Sequence, residues 1–146
     1  MPVTEATIQA AFARDGLRNS RPRRLIAQQL AGRAAQGVDF TAEDLWHDLQ
    51  GFDTQLGRAT VFRAVDTLRE QGILDRVMFA DGTHRYRLCG DQQHHHHVTC
   101  TECHRVVLVD ACLSKATFSS IAEQTGFALE GHSLDLFGRC GDCRRD

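Results

Sequence analysis

Two Cys-x-x-Cys pairs, Cys100/Cys103 and Cys140/Cys143, constrain this chain more than anything else in it. Each pair can form a knuckle that presents two thiolates to one tetrahedral cation. The knuckles are 36 residues apart, longer than the usual zinc-ribbon spacing, so a strand–helix–strand excursion must bring the second back to the first. Two disulfides, a redox dithiol and an iron–sulfur cluster compete with structural Zn²⁺. The start MPVTEATIQA has no basic segment ahead of an apolar run, so no signal peptide is visible and a cytoplasmic location is expected. Thiols stay reduced there, which favours zinc. No stretch approaches the ~18 consecutive apolar residues of a membrane span.

The first half reads as helices. Ile8, Ala11, Phe12 and Asp15 recur at helical spacing, and Gly16 offers a stop. Ser20 can cap a second helix, with Pro22 in its first turn and Leu25, Ile26 and Leu30 on its apolar side. Thr41 with Asp44 resembles a capping box, the acid one carbon shorter than Glu. Leu45, Trp46 and Leu49 follow. A fourth helix is predicted over Arg58–Glu70, with Val61, Val65 and Leu68 on one face and Gly72 after it. ILDRVMF and THRYRL then flank Ala80-Asp81-Gly82, a hairpin signal. Helices followed by a two-stranded wing make a winged helix-turn-helix over residues 1–87, with Arg58–Glu70 as its recognition helix. Charge agrees without deciding. Residues 1–90 carry 12 Lys/Arg against 11 Asp/Glu. Arg14, Arg18, Arg21, Arg23 and Arg24 cluster, as a solvated helix face or a nucleic-acid face would.

A polar link that acts as a hinge is expected at 88–93 (LCGDQQ). After it, residues 94–146 read as strand (HHHHVTC), strand (RVVLVD), helix from Ser114 to Thr125 and strand (FALEGHSLDLF). The class is therefore α+β: a winged helix-turn-helix followed by a small α/β unit. So short a unit is poor in core and commonly needs a metal or a partner subunit. A structural zinc contributes ~10–16 kcal/mol of apparent binding energy in small peptides, which would compensate.

The run His94–His97 lies in the first of these strands. Alternation sends His95 and His97 to one face and His94 and His96 to the other, so one ion cannot use all four. A solvated polar strand is the plain alternative. Cys89 lies just before the run, at the end of the hairpin, and Asp75 lies at the hairpin's start. A site of Asp75, Cys89, His95 and His97 would take two ligands from the wing and two from the second unit. Its oxygen, sulfur and two nitrogens suit tetrahedral Zn²⁺, while the thiolate argues against Mn²⁺.

Further stretches carry a family resemblance: R-x-S-x-x-R at Arg18–Arg23, TAEDLW at Thr41–Trp46, ATVFR at Ala59–Arg63 and LREQGIL at Leu68–Leu74. HHHHVTCTEC at His94–Cys103 and GHSLDLFGRCGDC at Gly131–Cys143 complete it. Over roughly residues 8–143 the chain resembles the ferric uptake regulator family of metal-dependent repressors. It is most similar to the zinc uptake regulator branch, because DG…YRLC…HHHH supplies the cysteine that branch uses. The resemblance implies a homodimer on double-stranded operator DNA, with residues 94–146 as the dimerisation and metal-binding domain. It also implies structural zinc on Cys100, Cys103, Cys140 and Cys143, and a regulatory zinc on Asp75, Cys89, His95 and His97. The output implied is repression of zinc uptake genes.

The sequence departs from the family pattern in places. Iron- and peroxide-sensing members place a histidine and an acid where this chain has Asp39 and Arg87. A third family site would use His94, His96 and His132 with an acid on the following helix, and that acid's position is Lys115. His132 shares strand parity with Leu134 and Leu136, so it can equally pack in a core. Cys112 matches no ligand position and reads as a small buried residue. Among DNA contacts, Arg58, Thr60 and Arg63 suit bases or phosphates, and Arg18 and Arg23 suit phosphates. Phe62 stands where the family has Tyr, and its ring can still meet a thymine methyl. A sister repressor sensing Mn²⁺, Fe²⁺ or peroxide is the alternative function. A zinc hydrolase or deaminase is disfavoured, because the four ligands close the coordination shell and no H-x-E pairing is present.

Overall fold

The computed structural model describes residues 2–90 and 94–144. Along the chain run α1 (Glu5–Arg14), α2 (Arg21–Gln36), α3 (Ala42–Gln50), α4 (Arg58–Glu70), β1 (Leu74–Met78) and β2 (His84–Leu88). They are followed by β3 (His96–Cys100), β4 (Val106–Val109), α5 (Lys115–Thr125) and β5 (Asp135–Gly138). The chain divides into two compact units, Met1–Val77 with His84–Gln92, and Met78–Thr83 with Gln93–Asp146. The link expected at 88–93 falls partly on residues 91–93, which lie outside the described residues.

In the first unit, α1 buries Ile8, Ala11 and Phe12, while Asp15 serves as C-cap and stays exposed. Ser20 occupies the N-cap of α2 without a side-chain capping bond. The Thr41 box is complete. Thr41 Oγ1 accepts from the Asp44 amide and Asp44 Oδ2 accepts from the Thr41 amide, both at 3.0 Å. The shorter acid therefore closes the box as Glu would. Ile8, Ile26, Leu30, Leu45, Leu49 and Leu68 are fully out of water, each contributing about 1.5–3 kcal/mol of burial. They hold α1 to α4 around one core, which presents α4 as the last helix before the wing.

The wing is β1 paired with β2. Gly82 takes φ +85° at its tip, and Asp81 Oδ1 accepts from the Thr83 amide at 2.9 Å; a side chain at Gly82 would be strained. Phe40 adds a short third edge by exchanging backbone bonds with Tyr86 at 3.0 and 2.7 Å.

The second unit holds a sheet in the order β4-β3-β5, with β3 antiparallel to β4 and parallel to β5. Ser114 caps α5 by accepting from the Thr117 amide at 3.1 Å, and Gly126 at φ +72° ends it. Two expected strands are shorter than predicted. The histidine strand starts at His96, and the strand expected over Phe127–Phe137 is confined to Asp135–Gly138. β5 pairs with β3 only from His97↔Asp135 to Cys100↔Gly138, so the residues upstream lack a ladder. None of α5 is buried, and Val107, Leu108, Ile121, Phe127, Leu136 and Phe137 are exposed. No helix among the described residues is long and apolar enough to cross a membrane.

Candidate metal centres and nucleic-acid face

The 36-residue gap between the cysteine pairs is resolved by strand register. β3 ends at Cys100, whose neighbour in parallel β5 is Gly138, and the Thr101 amide donates to the Gly138 carbonyl at 2.8 Å. Each knuckle therefore starts from the same end of two adjacent strands. In the second knuckle, the amides of Cys143 and Arg144 close onto the Cys140 carbonyl at 3.0 and 2.8 Å. Arg105 and Asp142 tie the two knuckles together at 2.7 Å.

All six cysteines are free thiols, so the two disulfides weighed from sequence are not formed. The four Sγ atoms of Cys100, Cys103, Cys140 and Cys143 lie within 4.8 Å of one another, with Cys103 and Cys140 at 3.7 Å. Metal–thiolate bonds of about 2.3 Å in a tetrahedron put sulfurs about 3.8 Å apart. The set thus fits one tetrahedral ion, not a cluster whose cysteines span several irons. The amides of Cys103 and Cys140 pull the Cys100 thiol down to about 6. Its neighbours Cys140 and Cys103 push the Cys143 thiol up to about 12. Four thiolates cannot coexist here without a cation to neutralise them.

Each half of the predicted regulatory set is assembled inside its own unit. In the winged unit, the Cys89 amide donates to the Ile73 carbonyl at 3.0 Å, which places buried Cys89 across from the start of the strand that carries Asp75. In the second unit, the His95 and His97 rings are 5.3 Å apart, edge to face, as strand alternation requires.

His94, His96 and His132 also come together, and the fourth member of their group is Cys112. His132 Nε2 lies 3.1 Å from His94 Nε2, 3.4 Å from His96 Nε2 and 3.1 Å from Cys112 Sγ. Two sequence readings are corrected here. Cys112 is exposed, because it sits in the loop between β4 and the cap of α5 and not in a core. His132 is exposed ahead of β5, so strand parity does not apply to it. Phe118 of α5 packs on its ring at 4.7 Å. Lys115 is the first residue of α5 and brings no carboxylate to the group. Burial first, then the nearby His94 and His132, hold His96 below the ordinary histidine range.

On α4, Arg58 and Arg63 are exposed, and Thr60 and Phe62 are half-buried. Arg58 Nη2 pairs with Glu43 Oε2 at 2.8 Å, and its guanidinium lies 4.1 Å from the Phe62 ring centre. Arg18 is exposed, and its carbonyl accepts from Arg23 Nη1 at 2.8 Å.

The sequence pattern of the ferric uptake regulator family matches residues 14–137. The chain belongs to the ferric uptake regulator family. Members of the family are metal-responsive transcription regulators, not enzymes, and they bind operator DNA as dimers. The Shigella flexneri ferric uptake regulation protein is 35% identical over 139 residues, 93% of this chain and 91% of that protein. Among solved structures, a zinc uptake regulator complexed with zinc and DNA is 28% identical with a TM-score of 0.68, over 95% of this chain and 91% of that one. A zinc-bound manganese uptake regulator is 28% identical with a TM-score of 0.54, over 92% of this chain and 98% of that one.

Proposed function

We propose that this regulator is a zinc-responsive repressor. It binds double-stranded operator DNA as a homodimer when Asp75, Cys89, His95 and His97 hold Zn²⁺, and it controls zinc uptake genes. We assign a second, structural Zn²⁺ to Cys100, Cys103, Cys140 and Cys143. The observation that carries the reading is buried Cys89 at the foot of the wing. A thiolate in the donor set favours Zn²⁺ over hard, oxygen-preferring cations. A second support is the Arg87–Asp39 ion pair, with bonds of 2.7 and 3.1 Å. It fills the positions where iron- and peroxide-sensing members would place metal ligands.

The mechanism follows from where the four ligands sit in the chain. Asp75 and Cys89 belong to the unit that carries α4, and His95 and His97 to the unit that carries β3. When bound, the ion supplies a tie that fixes the angle between these units. Arg58, Thr60, Phe62 and Arg63 then meet a half-site, and the second protomer meets the other. A 100-fold gain in DNA affinity requires about 2.7 kcal/mol of coupling. The exposed apolar side chains of β4, α5 and β5, among them Leu108, Ile121 and Phe137, suit a homodimer interface.

A reading as an iron-responsive regulator is favoured by one finding, the ferric uptake names of the curated relatives. The two separate by experiment. Duplexes selected from a random pool on the zinc-loaded protein are titrated at buffered free Zn²⁺, Mn²⁺ and Fe²⁺, with the native chain and with Cys89→Ala. Zinc-dependent binding that disappears in Cys89→Ala, with one tightly held zinc per protomer retained, is expected. Unchanged zinc-dependent binding in that variant would refute the ligand assignment.

A further inference from the structure

His132 Nε2 has more neighbours than hydrogen bonding can explain. A ring nitrogen offers one in-plane direction, carrying either a proton or a lone pair. Yet two other imidazole nitrogens and a sulfur lie within 3.4 Å of it. A shared cation accounts for all of them. Ligands at about 2.0–2.1 Å for nitrogen and about 2.3 Å for sulfur, placed tetrahedrally, sit about 3.3 Å apart for N–N and about 3.5 Å for N–S. The observed 3.1, 3.4 and 3.1 Å fall close to those edges.

We propose that Cys112 is a metal ligand, completing with His94, His96 and His132 a three-imidazole, one-thiolate site for a borderline-soft divalent cation. The family pattern puts a carboxylate in this role on the following helix, where this chain has Lys115. A lysine there adds positive charge and no ligand at neutral pH. Cys112, three residues earlier in the loop before α5, takes the carboxylate's place. The substitution changes what the site accepts. A thiolate selects Zn²⁺, Co²⁺ or Cd²⁺ and disfavours Mn²⁺ and Mg²⁺. The surroundings support the geometry. Phe118 packs on the His132 ring, and the Leu134 backbone carbonyl accepts from the His96 ring, the kind of outer contact that orients a ligating imidazole. The four side chains come from β3 and the residues just ahead of it, the β4–α5 loop and the segment before β5. One ion would fasten three segments of a unit that has little core. The inference is independent of the zinc-sensing reading, since it shares no residue with the set Asp75, Cys89, His95 and His97.

The test uses the full-length dimer with its four-cysteine zinc retained, in a Cys89→Ser background that removes the other regulatory thiolate. Co²⁺ is titrated under a phosphine reductant, and the near-ultraviolet thiolate-to-cobalt charge-transfer band is followed. The expected result is a band that saturates at one added Co²⁺ per protomer. It should be lost when Cys112→Ser is added, with the far-ultraviolet circular dichroism unchanged. Lys115→Ala should leave the band in place. Three outcomes overturn the proposal: a band that survives Cys112→Ser, cobalt bound with no charge-transfer band, and no cobalt bound at all. Because Cys89 is absent throughout, failure of the sensing assignment cannot imitate any of them.

Discussion

Arg87 grips Asp39 through two parallel bonds, Nε to Oδ1 at 2.7 Å and Nη2 to Oδ2 at 3.1 Å. The pair lies beside the Phe40–Tyr86 backbone bridge, which holds both residues in register. Both side chains are largely shielded, at 27% and 16% exposure, so the fork is worth more than a surface ion pair. Arg87→Ala and Asp39→Ala should each destabilise the winged unit, and the double variant should fall short of their sum. A coupling of about 1–2 kcal/mol is expected from urea unfolding of the four proteins. Additive losses would show that the fork carries no energetic weight.

The Thr41–Asp44 box should make stability depend on acid. Bonds from the Thr41 amide and then its hydroxyl hold the Asp44 carboxyl below its ordinary value. A carboxyl depressed in the fold stabilises it fully above the unfolded-state value, ~3.9, and loses that contribution as pH falls through the lower folded value. Thr41→Ala should cost about 1 kcal/mol at neutral pH. Asp44→Ala should flatten the fall in stability below pH ~4, read from denaturant midpoints at a series of pH values.

The winged unit was legible because its signals are local. Thr41, the Asp81-Gly82 turn and the helical spacing of Val61, Val65 and Leu68 each act within a few residues. The second unit was less so. His132 and Cys112 meet across 20 residues, and neither strand parity nor composition reports such a meeting. The strand predicted over Phe127–Phe137 failed for the same reason: alternating apolar residues such as Leu134 and Leu136 favour a strand, but only a partner ladder makes one. The cysteine pairs were readable at long range because four thiols in two knuckles have few chemical uses. The proposed half-sets Asp75/Cys89 and His95/His97 rest on hairpin pairing and on alternation, both short-range rules.

Removing the metal should loosen the second unit selectively. With α5 unburied and the four thiols crowded, Cys103→Ser or chelation should lower its melting temperature and leave the winged unit folded. The pH dependence of the metal-free chain carries a sign. Cys100 sits at about 6, below the ordinary thiol value, so its thiolate stabilises the fold increasingly as pH rises from about 6 toward the unfolded thiol range. Cys143, raised to about 12, works oppositely at higher pH: the fold keeps a proton that the unfolded chain has given up, so stability falls. Metal-free protein should therefore be most stable between these ranges, measured by calorimetry with chelator present. A metal-free chain whose stability does not change with pH over this span would contradict the assigned thiol environment.

Arg58 is shared between two partners before any DNA arrives, Glu43 at 2.8 Å and the Phe62 ring at 4.1 Å. The ion pair is exposed, at 57% and 42%, and is worth under ~1 kcal/mol. Glu43→Gln should therefore leave stability almost unchanged. It should raise affinity for duplex DNA, because it frees the guanidinium and removes a negative charge near the phosphates. Arg58→Ala and Arg63→Ala should weaken binding. Removing an arginine that neutralises one phosphate should reduce the slope of log affinity against log salt by about 0.9. A variant that binds one selected duplex more weakly but keeps the salt slope would place that arginine on a base edge. Anisotropy titrations at several salt concentrations separate the two, and an Arg63→Ala variant unchanged in both affinity and slope would remove Arg63 from the interface.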